Sequence, residues 1–271
     1  MMVELTFLVL NLRSLTTNAS LQTGLSVALP VLILMVFAKF FIFKSPRTSV
    51  NFPLVSTVLG LIFVGYLALS LLSQQVDSNA LIYNAIGIIG WVVYLKWYSV
   101  FPDRDGSVLK LNSQFPNVSF LSTNGELVST DEFKGSKVLY IFYRGNWCPL
   151  CMAQIKEIAD QYQALADRGV KIALVSPQPQ RHTKSLAKKF DVPFIFLTDT
   201  DHQSAKQLKI FQEAGTPLGM EVFGYESDSV MPTVIITDEE GKIIFADLTD
   251  NYRVRPEPAT FLKVLDELEV A

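Results

Sequence analysis

The sequence predicts an α-helical transmembrane region followed by an α/β domain in which helices flank a central mixed sheet. Three observations predict this fold class. Residues 1–101 contain three apolar runs, each about as long as a membrane-spanning helix must be. The later residues alternate β-branched strands with amphipathic helices, the order expected of an α/β domain. The only two cysteines, Cys148 and Cys151, lie where a strand runs into a helix.

Charge divides the chain at the same place. Residues 1–101 carry five basic and two acidic side chains, whereas residues 102–271 carry 18 basic and 24 acidic ones. The two parts are therefore expected to meet different solvents. An acidic second part without basic runs argues against nucleic-acid binding, which requires a concentrated Lys/Arg face. Residues 1–20 lack the basic start and small-residue cleavage site of a secretory signal, so we expect no cleaved leader.

The apolar segments 21–43, 52–72 and 80–100 are predicted to be transmembrane helices. The first has Lys39 as its only charge, and the second has no charge over 21 residues. The third carries Lys96 and several aromatic residues, which is typical of a helix that ends at a membrane interface. For the third segment, packing on the other two or lying in the interface is the alternative.

Loop charges predict how this region is oriented. Lys44 and Arg47 lie between the first two segments, whereas Asp77 is the only charge between the second and third. Because basic loops tend to stay on the cytoplasmic side, we expect a multi-pass protein of a bacterial inner membrane with its later domain in the cytoplasm. One miscounted span would reverse this, so an extracytoplasmic domain is the alternative. Residues 102–112 are predicted to be a polar, turn-forming linker.

Hydrophobic periodicity predicts the elements of the domain over residues 113–271. A buried strand over 138–143, a core-facing helix over 152–165 and a second buried strand over 171–176 form a right-handed βαβ unit. The remaining predicted elements are a helix over 183–190, a strand over 193–197, a short helix over 202–208, a hairpin of strands 233–237 and 242–246, and an amphipathic helix over 258–268.

Cys148 and Cys151 form a C-x-x-C pair at the start of the first of these helices. Unpaired backbone N–H groups and the helix dipole favour thiolate there, and the spacing places the sulfurs about one helical turn apart. The pair is therefore predicted to be a redox-active dithiol. A structural zinc site would need four ligands, and His182 and His202 are not spaced as a ligand pair. We expect no metal or organic cofactor; two inert buried thiols are the other alternative.

Two motifs connect the domain to a known family. Residues 147–151 match the W-C-x-x-C redox motif, and residues 231–233, Met-Pro-Thr before a strand, match a cis-proline loop. On these motifs, residues 113–271 resemble the thioredoxin superfamily, specifically its peroxiredoxin-like (AhpC/TSA-type) branch of redoxin domains. The resemblance implies a thioredoxin-like fold, a redox-active disulfide and antioxidant activity. For Pro232, an ordinary trans proline at a strand entry is the alternative.

The resemblance also implies roles for individual residues. Cys148 and Cys151 are the candidate catalytic residues. The candidate supporting residues are Trp147, Pro149, Arg144 and Pro232.

Which cysteine attacks first depends on the register of the resemblance. Residues 142–155 also align without gaps to the peroxiredoxin pattern F-Y-P-x-x-x-T-x-x-C-x-x-E-L, which puts Cys151 at the peroxidatic position and Cys148 at the threonine. The W-C-x-x-C register instead makes Cys148 the attacking thiol and Cys151 its resolver. Arg144 and Gln154 depart from the peroxiredoxin pattern, since they replace its proline and its glutamate.

The arginines leave the peroxidase interpretation incomplete. Arg144 is expected either to lower a thiol pKa and orient a peroxide, or to be a solvated loop charge. Arg253 and Arg255, just after the hairpin, are expected to lie on the surface, with binding of a partner as the alternative. No arginine lies near Met231 to polarise a bound peroxide.

The sequence thus predicts a membrane-anchored thiol–disulfide redox enzyme that cycles between dithiol and disulfide. Its substrate is expected to be a hydroperoxide, reduced through a sulfenic acid, or a protein disulfide attacked directly. Its expected partners are a thioredoxin- or glutathione-like thiol donor and the lipid bilayer. The alternative is a redox-sensing or scaffold membrane protein whose dithiol state controls its contacts with partners.

Overall fold

The computed structural model describes residues 21–43, 45–101, 104 and 106–269. They fall into two compact units, which divide between Val100 and Phe101. The N-terminal segment 1–20, Lys44 of the first loop and three residues of the predicted linker lie outside the described residues.

The first unit is built from three helices: α1 (Leu21–Ile42), α2 (Pro53–Ser73) and α3 (Ser78–Val93), the last continued by a π-helical turn over Tyr94–Tyr98. Each lies within about two residues of a predicted apolar segment. All three are long and apolar enough to cross a membrane. Asp77 caps α3, since its carboxylate accepts hydrogen bonds from the backbone N–H groups of Asn79 and Ala80.

Polar side chains connect the helices of the first unit in its interior. The buried Asn84 on α3 donates from Nδ2 to the carbonyl oxygen of Ser26 on α1, at 3.2 Å. Trp91 on α3 donates from Nε1 to the hydroxyl of Ser56 on α2, at 3.0 Å. Because a buried polar group without a partner is costly, such pairs favour one arrangement of the helices over others.

The second unit contains a seven-stranded mixed sheet and a separate two-stranded ladder. Its strands are β1 (Ser119–Ser122), β2 (Leu127–Ser129), β3 (Lys137–Phe142), β4 (Val170–Ser176), β5 (Ile195–Thr198), β6 (Phe211–Gln212), β7 (Ser229–Val230), β8 (Thr233–Thr237) and β9 (Ile243–Asp247). The sheet order is β2-β1-β5-β4-β3-β8-β9, and β6 pairs with β7. Strands β3, β4 and β5 are parallel, while β1, β8 and β9 join antiparallel to their neighbours.

Helices connect these strands and flank the sheet. They are α4 (Pro149–Asp160), α5 (Tyr162–Ala166), α6 (Gln180–Ala187), α7 (Gln203–Gln207) and α8 (Pro258–Glu269). This mixed sheet flanked by helices is the predicted fold class. The helix expected over 152–165 begins earlier, at Pro149, and is interrupted at Gln161, whose φ of −105° and ψ of 9° break the helix between α4 and α5.

Strand β3 lies in the interior of the sheet, third from the β9 edge. It pairs with β4 on one side and with β8 on the other, so that Leu139 faces both Ile172 and Ile236. Val138 to Phe142 are all buried, which accounts for the continuous apolar run of this segment. The carboxyl end of β3 therefore delivers the chain from the core directly to the start of α4, at the sheet edge where α/β proteins bind ligands.

The described part of the predicted linker packs against the second unit. The Arg104 guanidinium donates to the carbonyl oxygen of Thr249 at 3.0 Å and to the hydroxyl of Thr233. Leu109 is buried, and the Asn112 N–H donates to the Ile243 carbonyl at 2.8 Å. This segment therefore packs as part of the second unit.

Truncation of the central sheet should destabilise the second unit strongly. We expect Leu174→Ala in β4, whose side chain is fully buried, to lower the free energy of unfolding by about 2–5 kcal/mol, because it leaves a cavity. The measurement is the urea concentration at which a brief protease pulse degrades residues 113–271 of the full-length chain. Lys171→Ala, at an exposed position of the same strand, should change this by no more than about 0.5 kcal/mol. Equal midpoints for the two variants would contradict the assigned core.

Candidate active site

The dithiol is built on the first turn of α4. Cys148 is the N-cap residue, with an extended backbone (φ −86°, ψ 107°), and its Sγ accepts a hydrogen bond from the Cys151 N–H at 3.4 Å. Pro149 follows as the first helical residue, where its fixed φ suits the helix and its missing N–H costs nothing. Cys148 and Pro149 therefore lie at the start of a helix, which is the position predicted for the C-x-x-C pair.

Gly145 shapes the turn between β3 and α4. Its φ of 153° lies in a region that side chains disfavour, and a Cβ atom here would lie 2.8 Å from Nε1 of Trp147. The Cys148 N–H closes the turn by donating to the Gly145 carbonyl at 3.1 Å. Glycine thus allows the indole to pack over the turn that presents the first cysteine.

The two sulfurs are adjacent and enclosed. Cys148 and Cys151 are free thiols with 2% and 0% of their surface exposed, and their Sγ atoms lie 2.7 Å apart. At this separation the Cys148 S–H can donate to the Cys151 sulfur. Among the described residues, no group of three or more His, Cys, Asp and Glu side chains could hold a metal ion.

Arg255 is the charged partner of the dithiol. Its side chain is only 5% exposed, and its Nη2 donates to the Cys151 sulfur at 3.4 Å. Nη1 donates to Oε1 of Gln154 at 2.7 Å, and Nε donates to the Tyr252 carbonyl at 3.1 Å. The prediction that Arg253 and Arg255 lie on the surface is wrong, because the segment between β9 and α8 lies against the start of α4 and both side chains are buried.

Arg144 is also buried beside the dithiol. Its guanidinium lies between two aromatic rings, 5.1 Å from the ring centre of Trp147 and 5.0 Å from that of Tyr252. It donates to the Gly215 carbonyl, so it connects the turn before α4 to the segment between β6 and β7. Of the two expectations for Arg144, the solvated loop charge is therefore wrong.

The environment ionises the two cysteines unequally. Burial raises the pKa of Cys151, but the hydrogen bond from Cys148, the charge of Arg255 and the backbone N–H of Arg144 outweigh it and lower this pKa to about 5. Burial raises the pKa of Cys148 well above its ordinary value, and its role as donor to Cys151 raises it further. At neutral pH, Cys151 is therefore the thiolate and Cys148 the thiol.

Gln178 is a site residue that the sequence analysis missed. It follows the carboxyl end of β4 and is buried, and its Nε2 donates to the Tyr143 hydroxyl at 3.1 Å. Its Oε1 accepts from the Asn146 N–H at 2.9 Å, so this amide holds the turn before Cys148 at two points. Because parallel strands β3 and β4 end at the same sheet edge, a polar residue just after β4 is the sequence signal that indicates such a side chain.

Pro232 differs from its expected conformation. The described residues contain no cis peptide bond, so Met231–Pro232 is trans and the prediction of a cis proline is wrong. Pro232 immediately precedes β8, where the missing N–H removes no hydrogen bond from the sheet, and its carbonyl accepts from Arg104 at 3.5 Å. The alternative, a trans proline at a strand entry, is confirmed.

Comparison with known proteins agrees with this architecture. Residues 110–265 match the family model described as Redoxin. Peroxiredoxin Bcp of Bacillus subtilis (strain 168) is 23% identical over 136 residues, which cover 50% of this chain and 83% of the relative. Peroxiredoxin Bcp of Escherichia coli (strain K12) is 28% identical over 147 residues, covering 53% and 90% respectively.

A solved structure shows the same fold. A mutant of peroxiredoxin 6 from Arenicola marina superimposes with a TM-score of 0.51 at 17% identity, over 59% of this chain and 73% of that one. The family match includes both cysteines, Gln154 and Arg255. The chain therefore belongs to the redoxin family, and it is an oxidoreductase of the peroxiredoxin-like kind with a thioredoxin-like fold.

Proposed function

We propose that the chain is a thiol peroxidase that reduces hydroperoxides, with Cys151 as the attacking thiolate and Cys148 as the resolving thiol. The observation that carries this proposal is the contact between the Arg255 guanidinium and the Cys151 sulfur at 3.4 Å. It gives one of two adjacent sulfurs a stable negative charge near neutral pH, and thiolate is the reactive form of cysteine. The proposal thus assigns the two cysteines as the peroxiredoxin register does.

In the first step, the Cys151 thiolate attacks one oxygen of the hydroperoxide. An S–O bond forms and the O–O bond breaks; the leaving oxygen takes up a proton and departs as an alcohol, or as water from hydrogen peroxide. Cys151 becomes a sulfenic acid, so its sulfur loses the two electrons that the peroxide gains. Arg255 is placed to stabilise negative charge as it moves from the sulfur to the leaving oxygen.

In the second step, Cys148 resolves the sulfenic acid. Its sulfur attacks that of Cys151, an S–S bond forms, and the S–O bond breaks with release of water, which carries the Cys148 proton. An external thiol donor of the thioredoxin- or glutathione-like kind then returns two electrons and restores both thiols. The 2.7 Å separation of the two sulfurs in the dithiol supports a resolving step within one chain.

Enclosure of the dithiol favours a peroxide over a protein disulfide as substrate. Direct attack on a protein disulfide would require a bulky S–S group to approach the Cys151 sulfur, which is fully buried. A hydroperoxide presents only two small oxygen atoms, so it needs far less access. The buried positive charge of Arg255 also suits a substrate on which negative charge develops at oxygen.

We also propose that α1, α2 and α3 anchor the enzyme in a membrane. Large apolar side chains face outward from this unit, among them Leu54 (77% exposed) and Leu72 (81% exposed). An apolar exterior of this kind is unfavourable in water and suits the hydrocarbon core of a bilayer. The basic first loop, with Arg47, and the acidic cap Asp77 in the second support a cytoplasmic redox domain.

Replacing each cysteine by serine should separate the two steps. Cys151→Ser should lower peroxide consumption to the background level, because it removes the nucleophile. Cys148→Ser keeps a hydroxyl donor to Cys151 and should consume one equivalent of hydrogen peroxide per chain and then stop, with a trappable sulfenic acid. The measurement is stopped-flow peroxide consumption by the full-length chain in detergent. If the wild-type chain reacts no faster than a free thiol, the peroxidase proposal fails.

The pH dependence of the reaction should report the charge of Arg255. Because the pKa of Cys151 is lowered to about 5, its thiolate is present above that pH and is lost as the pH falls through it. Arg255→Met should move the rise of the peroxide reaction about 1–3 pH units higher. Arg168→Met removes a surface charge that pairs with Asp266 and should leave the profile in place. Identical profiles for wild type and Arg255→Met would contradict the role of Arg255.

Membrane insertion and orientation can be tested with single exposed cysteines in a chain whose Cys148 and Cys151 are serines. With the redox domain in the cytoplasm, Gln75→Cys between α2 and α3 should react with an impermeant thiol reagent in intact cells. Lys263→Cys on α8 should react only after permeabilisation. The reverse pattern would place the domain outside, and release of the protein from membranes by alkaline carbonate would exclude insertion.

A further inference from the structure

We propose that residues 217–224, between β6 and β7, form a docking loop that binds the surface of an anionic bilayer and inserts apolar side chains among the lipids. The inference rests on the proposed anchoring by α1, α2 and α3, which tethers the second unit to a membrane. It concerns a surface of the redox domain that the chemistry of the dithiol does not use.

The docking loop exposes a group of large apolar side chains. Leu218 is 98% exposed and Val222 is 86% exposed, and Phe223 beside them is also exposed. Two other large apolar residues of the second unit, Leu111 and Leu127, are exposed, but each stands alone in the sequence. Single exposed apolar residues are ordinary on protein surfaces, whereas a group of them marks a contact surface.

The shape of the docking loop is fixed by its backbone. A 3₁₀ turn over Met220–Phe223 lies between Gly219 and Gly224, whose φ angles are 94° and 82°. The Gly219 N–H donates to the carboxylate of Glu221 at 2.8 Å, so this acidic side chain is held by the loop itself. A Cβ atom at Gly224 would overlap the guanidinium of Arg181, which lies against the loop. The apolar side chains are therefore presented by a structured turn.

A basic face of α6 adjoins the docking loop. Nη2 of Arg181 donates to the Phe223 carbonyl at 3.0 Å. Lys184 and Lys188 follow Arg181 by three and seven residues, so they lie on the same side of this helix, and both are exposed. Residues 180–190 contain four basic and no acidic side chains, although residues 102–271 as a whole are acidic. Apolar side chains beside a basic face are typical of surfaces that bind anionic bilayers.

The docking loop lies at the edge of the sheet where β3 ends. Arg144, two residues after β3, donates to the carbonyl of Gly215, two residues before the loop. Strand β9 ends at the same edge, since Val234 of β8 pairs both with Ile141 of β3 and with Asp247 of β9. The residues that follow β9 therefore start at the edge that carries the loop.

The chain enters the second unit at this same edge. The Phe101 N–H donates to the carbonyl of Asp250, three residues after the end of β9, at 2.6 Å. The π-helical turn that ends the third apolar helix stops at Tyr98, three residues before Phe101. Three residues span at most roughly 11 Å. A connection this short favours docking at this edge, because a tether raises the effective concentration of the bilayer at the loop.

The test uses the full-length chain with Cys148 and Cys151 replaced by serine, in vesicles of phosphatidylcholine and phosphatidylglycerol. A fluorophore on one introduced cysteine reports contact with lipid through quenching by nitroxide-labelled acyl chains. Val222→Cys in the docking loop should give a quenched probe. Leu111→Cys, exposed at the opposite edge of the sheet, should give an unquenched one. Leu61→Cys, exposed on α2, should be quenched and reports insertion of the helices.

A charge variant tests the basic face of α6. With the probe at position 222, Lys184→Gln should lower the ratio of lipid-contacting to water-exposed probe about fivefold, the contribution of one basic residue near an anionic surface. Lys171→Gln removes an exposed charge at the amino end of β4 and should leave the ratio unchanged. An equal ratio in the two variants would overturn the part assigned to the basic face.

The probes at positions 61 and 222 separate this proposal from the proposed anchoring. Quenching at position 61 without quenching at position 222 would overturn docking while the anchor stands. Quenching at position 222 alone would support docking and refute the anchor. A probe at position 222 that is shielded from aqueous iodide but not quenched by lipid would assign the loop to a protein partner or to a second copy of the chain, and would overturn docking on a bilayer.

Discussion

The arrangement around the dithiol depends on one buried positive charge, the guanidinium of Arg255, placed against the sulfur of Cys151. A guanidinium removed from water is costly unless anions or polar acceptors replace its hydration. Here the Cys151 sulfur, the Gln154 amide and the Tyr252 carbonyl provide that replacement. The same contacts allow a fully enclosed thiol to ionise, although burial alone would suppress ionisation. The Cys151 thiolate and the Arg255 guanidinium therefore stabilise each other at this site.

The rest of the domain supports this pair from several directions. The turn before α4 is held by Gln178 after β4, and the Arg144 side chain in that turn is held by the Gly215 carbonyl between β6 and β7. The ring of Tyr252 packs against the same Arg144 side chain. These contacts come from segments far apart in the sequence, and Gln178 reaches the turn because parallel β3 and β4 end at a common edge of the sheet.

The residues that could be predicted are those with local signals. The buried strand β3, the hairpin β8–β9 and the amphipathic α8 follow from periodicity, and the helix-start dithiol follows from the Cys-Pro pair at its N-terminus. Arg255 had no such signal. A charged residue before a helix is ordinarily solvated, and its burial is determined by a contact with Cys151, 104 positions earlier in the chain. The short, half-exposed strand β2 was missed because it is too brief to show a period.

The place of Cys148 at the head of α4 has an evolutionary consequence. Its sulfur acts as a helix cap and its thiol as a donor to the Cys151 thiolate, and a threonine or serine hydroxyl performs both tasks well. Only the ability to form a bond with the neighbouring sulfur is peculiar to cysteine. A peroxidase with an internal resolving thiol and one that relies wholly on foreign thiols can thus be a single substitution apart, with no adjustment of the surrounding scaffold. Related proteins can therefore change between an internal resolving thiol and an external thiol donor while keeping the folded structure at every step.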